Sequence, residues 1–112
     1  MSLSTLGLSP EILKALSDKG YESATPIQEA LIPVMFSRRD IMAGAQTGTG
    51  KTAGFSLPIL QDLSKSFVEG QHYPKAVILV PTRELAKQVH ASIEAYGKYL
   101  PLKSIVLFGG AN

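Results

Sequence analysis

Apolar positions recur with helical spacing in the first part of the chain. Ile12, Leu13 and Leu16 share one side of a helix, and this pattern predicts a first helix. Ser9 is suited to cap its start, and Gly20 is suited to end it. The chain is therefore expected to open on an amphipathic helix packed against a core.

Two further helices are indicated, each containing residues that disfavour helix. A second helix is expected from Thr25-Pro26, and Pro33 is expected to break or kink it. A third helix is expected from residue 50 or 51, and Gly54 and Pro58 are expected to bend it or stop it early.

Three short apolar runs predict buried strands at residues 40–44, 76–80 and 104–108. A fourth helix is expected between the last two runs, with Thr82 as its cap. Its apolar side is formed by Leu85, Val89 and Ile93. Strands that alternate with helices indicate an α/β fold with an open sheet, in which ligands bind beyond the carboxyl ends of the strands.

Composition and charge exclude several classes of protein. The chain has 112 residues, which is one domain at most, and its hydrophobic fraction of 45% is ordinary for a globular protein. The sequence has no cysteine, which excludes a disulfide scaffold and a thiolate zinc site and agrees with a cytoplasmic protein. No apolar run is long enough to span a membrane, and the first residues do not resemble a secretory signal. The net charge of +2 does not by itself indicate nucleic acid.

The strongest chemical motif is a glycine-rich loop between a predicted strand and a predicted helix. The motif consists of Ala45, Gln46, Thr47, Gly48, Thr49, Gly50, Lys51 and Thr52. The glycines let backbone N–H groups face phosphate oxygens, and the following helix adds partial positive charge. Lys51 is suited to neutralise the β- and γ-phosphates of a nucleoside triphosphate, and the Thr52 hydroxyl is suited to bind magnesium. The alternative is a glycine-rich turn with an incidental lysine, since Ala45 stands where the general pattern has glycine.

Three stretches and a glycine pair together resemble the DEAD-box family of ATP-dependent RNA helicases. The loop at 45–52 has the family's form Ala-x-Thr-Gly-x-Gly-Lys-Thr, which accounts for Ala45. Residues 20–28 resemble its Q motif, residues 81–86 resemble its motif Ia, and Gly109-Gly110 stands at its glycine doublet. The similarity covers essentially all 112 residues, and the bacterial RhlE-type branch is the most similar subgroup. The resemblance implies an incomplete RecA-like parallel sheet flanked by helices, with ATP and magnesium as cofactors.

The Q motif implies recognition of adenine. In the family, the glutamine that corresponds to Gln28 reads the edge of the base, and Tyr21 is expected to stack on it. Thr25 and Gln28 also have the spacing of a capping box, in which both side chains satisfy a helix start. The two roles are compatible. Leu3 stands where the family usually has a phenylalanine near the adenine site.

Motif Ia and the glycine doublet imply contact with the sugar-phosphate backbone of RNA. Pro81, Thr82 and Arg83 are the expected contact residues, together with Gly109 and Gly110. Such contacts carry no sequence information. The alternatives are a plain cap at Thr82, a solvated Arg83-Glu84 pair and a simple turn at the glycines. His72 and His90 are expected on the surface without a role.

The resemblance divides the chain into a Q-motif region at 1–36 and a second part at 37–112, from the phosphate-loop strand through the glycine doublet. The chain contains no Asp-Glu-Ala-Asp, the stretch with which the family holds magnesium and positions water. We therefore expect these residues alone neither to hydrolyse ATP nor to unwind RNA. In the family other strands lie between the first two predicted here. We therefore expect either that these residues are the ordered or retained part of a longer product, or that a swapped or completing partner chain supplies the missing strands. The alternatives are a nucleotide- or RNA-binding module without catalysis, and another phosphate-loop enzyme.

Overall fold

The computed structural model describes residues 3–37, 40–42, 49–67, 70 and 75–107. These residues form one 3-10 turn followed by helices α1 to α4, and the four predicted helices are all present. The bounds are Leu3–Thr5 for the turn, Pro10–Asp18 for α1, Pro26–Phe36 for α2, Thr49–Lys65 for α3 and Arg83–Tyr96 for α4. None of the helices among the described residues is long and apolar enough to cross a membrane.

The start of α1 differs from the prediction in one detail. Ser9 occupies the N-cap position, but its side chain makes no capping hydrogen bond. Its backbone N–H instead donates to Gln61 Oε1 of α3 over 2.8 Å. A side chain 52 residues away in sequence therefore ties the start of α1 to α3.

The expectation that α3 stops early is wrong. α3 runs for 17 residues with Gly54 and Pro58 inside it, and α2 likewise continues through Pro33. A Cβ atom on Gly54 would lie 3.0 Å from Leu31 Cδ2, so the glycine lets α2 and α3 approach closely. Packing of this kind stabilises a helix more than intrinsic propensity does, which explains why these residues do not end it.

The described core lies where α1, α2, α3 and the end of α4 meet. Ile12, Ile32 and Leu57 have no exposed surface, and Tyr96 has 1%. The other buried members of this cluster are Leu3, Leu6, Leu8, Leu16, Ala53 and Leu60. The predicted apolar face of α1 is confirmed at Ile12 and Leu16, and that of α4 is confirmed at Val89.

The predicted strands are not found as paired strands among the described residues. Only Ser23 has a β-bridge there, while 40–42, 76–80 and 104–107 belong to no sheet. Val77, Leu79, Ile105 and Leu107 are 76%, 89%, 79% and 73% exposed. Their neighbours Ile78, Val80 and Val106 are half-buried, an alternation with the period of a strand. An apolar run becomes a strand only when a neighbouring strand accepts its hydrogen bonds.

Candidate functional site

A cleft of about 100 Å³ lies between the α1–α2 connection and α3. It is lined by Leu3, Leu16, Tyr21, Ser23, Thr25, Gln28, Ala53 and Leu57. The structure thus brings Tyr21 and Gln28, the two residues predicted to contact adenine, to one cavity together with Thr25 of the Q motif. The sequence pattern was not read as placing Ala53 and Leu57 at this site. The two residues are four positions apart, which puts them on one face of a helix, and Ala53 directly follows Thr52.

The end of α1 positions Tyr21. Gly20 has φ of +79°, its N–H donates to the Ser17 carbonyl, and the Tyr21 N–H donates to the Leu16 carbonyl over 2.9 Å. These two bonds form a Schellman motif, which turns the chain out of the helix through a left-handed residue. The motif commonly brings together the side chains that correspond here to Tyr21 and Leu16. Both residues line the cleft.

The start of α2 positions Thr25 and Gln28. The Gln28 N–H donates to Thr25 Oγ1 over 3.4 Å, and the Thr25 N–H donates to Gln28 Oε1 over 3.0 Å. The capping box expected from the sequence is therefore present. Gln28 is 6% exposed, so its amide is held in a buried position. A carboxamide carries an oxygen that accepts hydrogen bonds and an NH2 group that donates them.

The phosphate loop leads into the helix that forms the other wall of the cleft. Ala45, Gln46, Thr47 and Gly48 lie outside the described residues. Thr49 and Gly50 are the first residues of α3. Lys51 and Thr52 lie half-buried in its first turn. Because Ala53 follows directly and lines the cleft, this first turn lies beside it.

The predicted RNA-contact residues are at the opposite end of α4 from the core. Pro81, Thr82 and Arg83 are exposed, and none of them lines the cleft. Thr82 is the N-cap of α4, and its Oγ1 accepts a hydrogen bond from the Leu85 N–H over 3.1 Å. Gly109 and Gly110 lie outside the described residues.

His90 is not the simple surface residue expected from the sequence. Its side chain is 23% exposed, and its Nε2 lies 2.8 Å from Glu94 Oε1 one turn further along α4. Its Nδ1 lies 3.2 Å from Ser104 Oγ, in the segment that leads toward the glycine doublet. The histidine–glutamate spacing was visible in the sequence, but only the folded chain brings Ser104 to the ring. His72 lies outside the described residues.

Comparison with known proteins places this arrangement among the helicases. Residues 25–112 match the family model described as "DEAD/DEAH box helicase". The chain is 42% identical over 111 residues to the DEAD-box ATP-dependent RNA helicase RhpA of Helicobacter pylori. It is 45% identical over 112 residues to the ATP-dependent RNA helicase CshA of Limosilactobacillus reuteri. These alignments cover 99% and 100% of the chain but only 22% of each relative, so the chain spans about a fifth of their length.

Solved structures agree with the sequence match. The RNA helicase Prp28 of Chaetomium thermophilum, bound to ADP, superposes with a TM-score of 0.89 at 35% identity, covering 99% of this chain and 27% of that one. Dbp5 of Saccharomyces cerevisiae, bound to RNA and ADP BeF3, superposes with a TM-score of 0.76 at 36% identity. This superposition covers 88% of this chain and 25% of the Dbp5 chain. These neighbours are RecA-like helicase domains, so the α/β class inferred from the sequence is supported despite the missing strand pairing. From the motif-bearing cleft, the family match and these structures, we conclude that the chain belongs to the DEAD/DEAH box helicase family.

Proposed function

We propose that these residues form the ATP-binding front part of an ATP-dependent RNA helicase that separates short RNA duplexes. One observation supports this most directly. A single cleft is lined by Tyr21, Thr25 and Gln28 and by Ala53, the residue that follows the predicted phosphate-binding pair Lys51 and Thr52. Residues 1–36 would then supply the adenine side of the site, and residues 37–112 the phosphate side.

The geometry of the cleft suits an adenine base. Tyr21 offers an aromatic ring, and ring-on-base stacking is favourable for any base. Gln28 offers a buried amide that can accept from the exocyclic amine of adenine and donate to a ring nitrogen. Its oxygen accepts from the Thr25 N–H at 3.0 Å, and a carboxamide oxygen can accept more than one hydrogen bond, so the capping role is chemically compatible with base recognition. Leu3 lines the same cleft where the family usually has phenylalanine.

Replacing Gln28 with glutamate separates recognition from capping. Glutamate at this helix position maintains a capping box, but its carboxylate cannot donate to the base. We expect the preference for magnesium ATP over magnesium UTP, measured by titration calorimetry, to fall by about 10-fold, which corresponds to one lost hydrogen bond of ~1.4 kcal/mol. Gln28→Ala should lose the preference and also weaken the helix start. An unchanged ratio in Gln28→Glu would contradict adenine recognition by this residue.

The start of α3 suits phosphates and magnesium. The N-terminus of a helix attracts anions, and Lys51 in its first turn adds a full positive charge beside the cleft. Thr52 provides a hydroxyl oxygen, a ligand type that magnesium accepts alongside phosphate oxygens. Gln46, Thr47, Gly48, Thr49 and Gly50 would supply further donors to the phosphates. Prp28 and Dbp5 were both solved with adenine nucleotides, which supports this assignment.

The start of α4 suits the backbone of RNA. Thr82 accepts from the Leu85 N–H, and its own hydroxyl hydrogen can still donate to a phosphate oxygen. Arg83 is exposed beside it, and the helix terminus adds partial positive charge. We assign Pro81, Thr82 and Arg83, with Gly109 and Gly110, to sequence-independent contact with RNA. Dbp5, which was solved with RNA, supports this assignment.

The 112 residues are expected to bind ATP without turning it over. They contain no Asp-Glu-Ala-Asp, and phosphoryl transfer in this class depends on charges placed around the γ-phosphate, where one arginine accounts for about 10³–10⁵ in rate. Phosphate release by the purified chain, with and without RNA, should equal the buffer blank. RNA-stimulated release above that blank would show that the site is complete without that motif.

The exposed apolar segments require cover. Four apolar side chains in these segments are exposed to solvent: Val77, Leu79, Ile105 and Leu107. Unpaired apolar segments of this kind favour association with other chains. We propose that they join a RecA-like parallel sheet completed by further strands, which come from the rest of a longer protein, from a partner chain or by exchange between copies. Sedimentation of the 112-residue chain should show self-association that increases with concentration. A monomer at every concentration would contradict exchange between copies.

A further inference from the structure

A lysine at the end of α1 lies between two tyrosines beside the cleft. Lys19 Nζ is 5.7 Å from the ring centroid of Tyr21 and 5.8 Å from that of Tyr96. Tyr21 lines the cleft, whereas Tyr96 is the last residue of α4 and belongs to the buried core. Burial raises the pKa of Tyr96, and the nearby Tyr21 raises it further. The three side chains therefore form one contact group that links the cleft to the core.

The residues next to this group fasten the same two helix ends. Lys98 Nζ lies 2.7 Å from Asp18 Oδ2, and the Tyr99 hydroxyl donates to the same carboxylate oxygen. These hydrogen bonds from Lys98 and Tyr99 lower the pKa of Asp18. Lys14 Nζ lies over the Tyr99 ring at 4.5 Å. The end of α1 is thereby joined to the end of α4, so Lys19 and Tyr96 keep their relative positions.

The orientation of the Tyr21 ring needs such a contact. The Schellman motif determines where the backbone of Tyr21 leaves α1, but the backbone leaves several side-chain rotamers open. A cation near the faces of two rings is attracted by both, and it restricts how each ring can turn. Tyr96 cannot move because it is 1% exposed and packed in the core, so the restraint acts on Tyr21.

We propose that Lys19 and Tyr96 are positioning residues that hold the Tyr21 ring in the orientation that meets the nucleotide base, and that they thereby contribute to base preference. This inference rests on the proposed adenine site. It assigns a role to two residues that do not line the cleft. Its consequence is a base-dependent effect, because phosphate binding at Lys51 and Thr52 does not involve Tyr21.

The test compares binding of magnesium ATP and magnesium UTP to the full 112-residue chain by titration calorimetry. In Lys19→Met, which keeps the aliphatic stem but loses the cation, ATP affinity should fall about 3-fold, the fold-change expected for one exposed cation–π contact. UTP affinity should fall less, because a pyrimidine offers the Tyr21 ring a smaller stacking surface than a purine does. Lys19→Arg should restore the wild-type ratio, since arginine keeps the cation. Lys65→Met is the control, because it removes an exposed cation in the last turn of α3, away from Tyr21, and should leave the ratio unchanged.

The outcomes separate this inference from the function on which it rests. A wild-type chain that binds ATP and UTP equally would overturn the adenine site and this inference together. A ratio of ATP to UTP affinity in Lys19→Met equal to a wild-type ratio that favours ATP would overturn the inference alone. An equal loss of ATP and UTP affinity in Lys19→Met would assign Lys19 a merely structural role, and thermal unfolding of each variant would show the accompanying loss of stability.

Discussion

Replacing Lys51 with alanine should weaken binding of magnesium ATP by about 100-fold or more. Lys51 is in the first turn of α3, two residues before Ala53 of the cleft, and its charge adds to that of the helix terminus. Hydrogen bonds between charged partners contribute about 1.5–3 kcal/mol each, and Lys51 is expected to contact two phosphates. At 1.4 kcal/mol for each factor of ten, the loss of both contacts exceeds two orders of magnitude. Titration calorimetry with magnesium ATP measures this change directly.

Lys65→Ala provides the matched control. Lys65 is exposed in the last turn of the same helix, so its replacement removes the same charge about 21 Å away along the helix axis. ATP affinity should remain within about 2-fold of wild type, because a surface charge at that distance is screened by salt. If the two variants lost affinity equally, net charge rather than a phosphate contact would explain the effect, and the role assigned to Lys51 would be wrong.

Replacing Ile12 with alanine should lower the free energy of unfolding by about 2–5 kcal/mol. Ile12 has no exposed surface and belongs to the core cluster that joins α1 to α3 and the end of α4. The change removes buried methyl groups and leaves a cavity that the surrounding helices fill only partly. In a chain of this size the melting temperature should fall by roughly 10 °C or more, as measured by circular dichroism at the helix band.

Ile105→Ala tests whether burial is the cause. Ile105 is also an isoleucine, but its side chain is 79% exposed and it does not belong to a helix. In the monomer, at concentrations below self-association, its replacement should change the free energy of unfolding by no more than about 0.5 kcal/mol, the usual range for surface substitutions. A large loss of stability at Ile105 would mean that this segment is covered in solution, as completion of the sheet by another chain requires.

Several helix caps, helix faces and motifs could be predicted from the sequence because they depend on residues close together along the chain. The capping box of Thr25 and Gln28 spans three residues, and the Thr82 cap of α4 likewise needs only the next turn. The amphipathic spacing of α1 predicted its buried side at Ile12 and Leu16. The phosphate-loop motif could be recognised for the same reason, since its glycines, Lys51 and Thr52 lie within five residues of the sequence. Such features need no long-range contact to form.

Features that depend on distant residues were decided by the tertiary structure. The sequence could not show that α3 continues past Gly54 and Pro58, because packing of α2 against Gly54 outweighs local helix propensity. It could not show that three predicted strands lack pairing among the described residues, because a strand forms only with a neighbour.

The sequence alone therefore determined the family motifs, the presence of the four helices and the caps of α2 and α4, but not the start of α1, where Ser9 makes no side-chain cap. Only the folded chain decided that Gln28 and Ala53 share a cleft, that His90 meets Ser104, and that Lys19 lies between Tyr21 and Tyr96. The physical reason is the range of the interactions. Caps and helical faces are set within a few residues, whereas clefts and side-chain contacts between helices depend on how separate elements pack to bury their apolar surface.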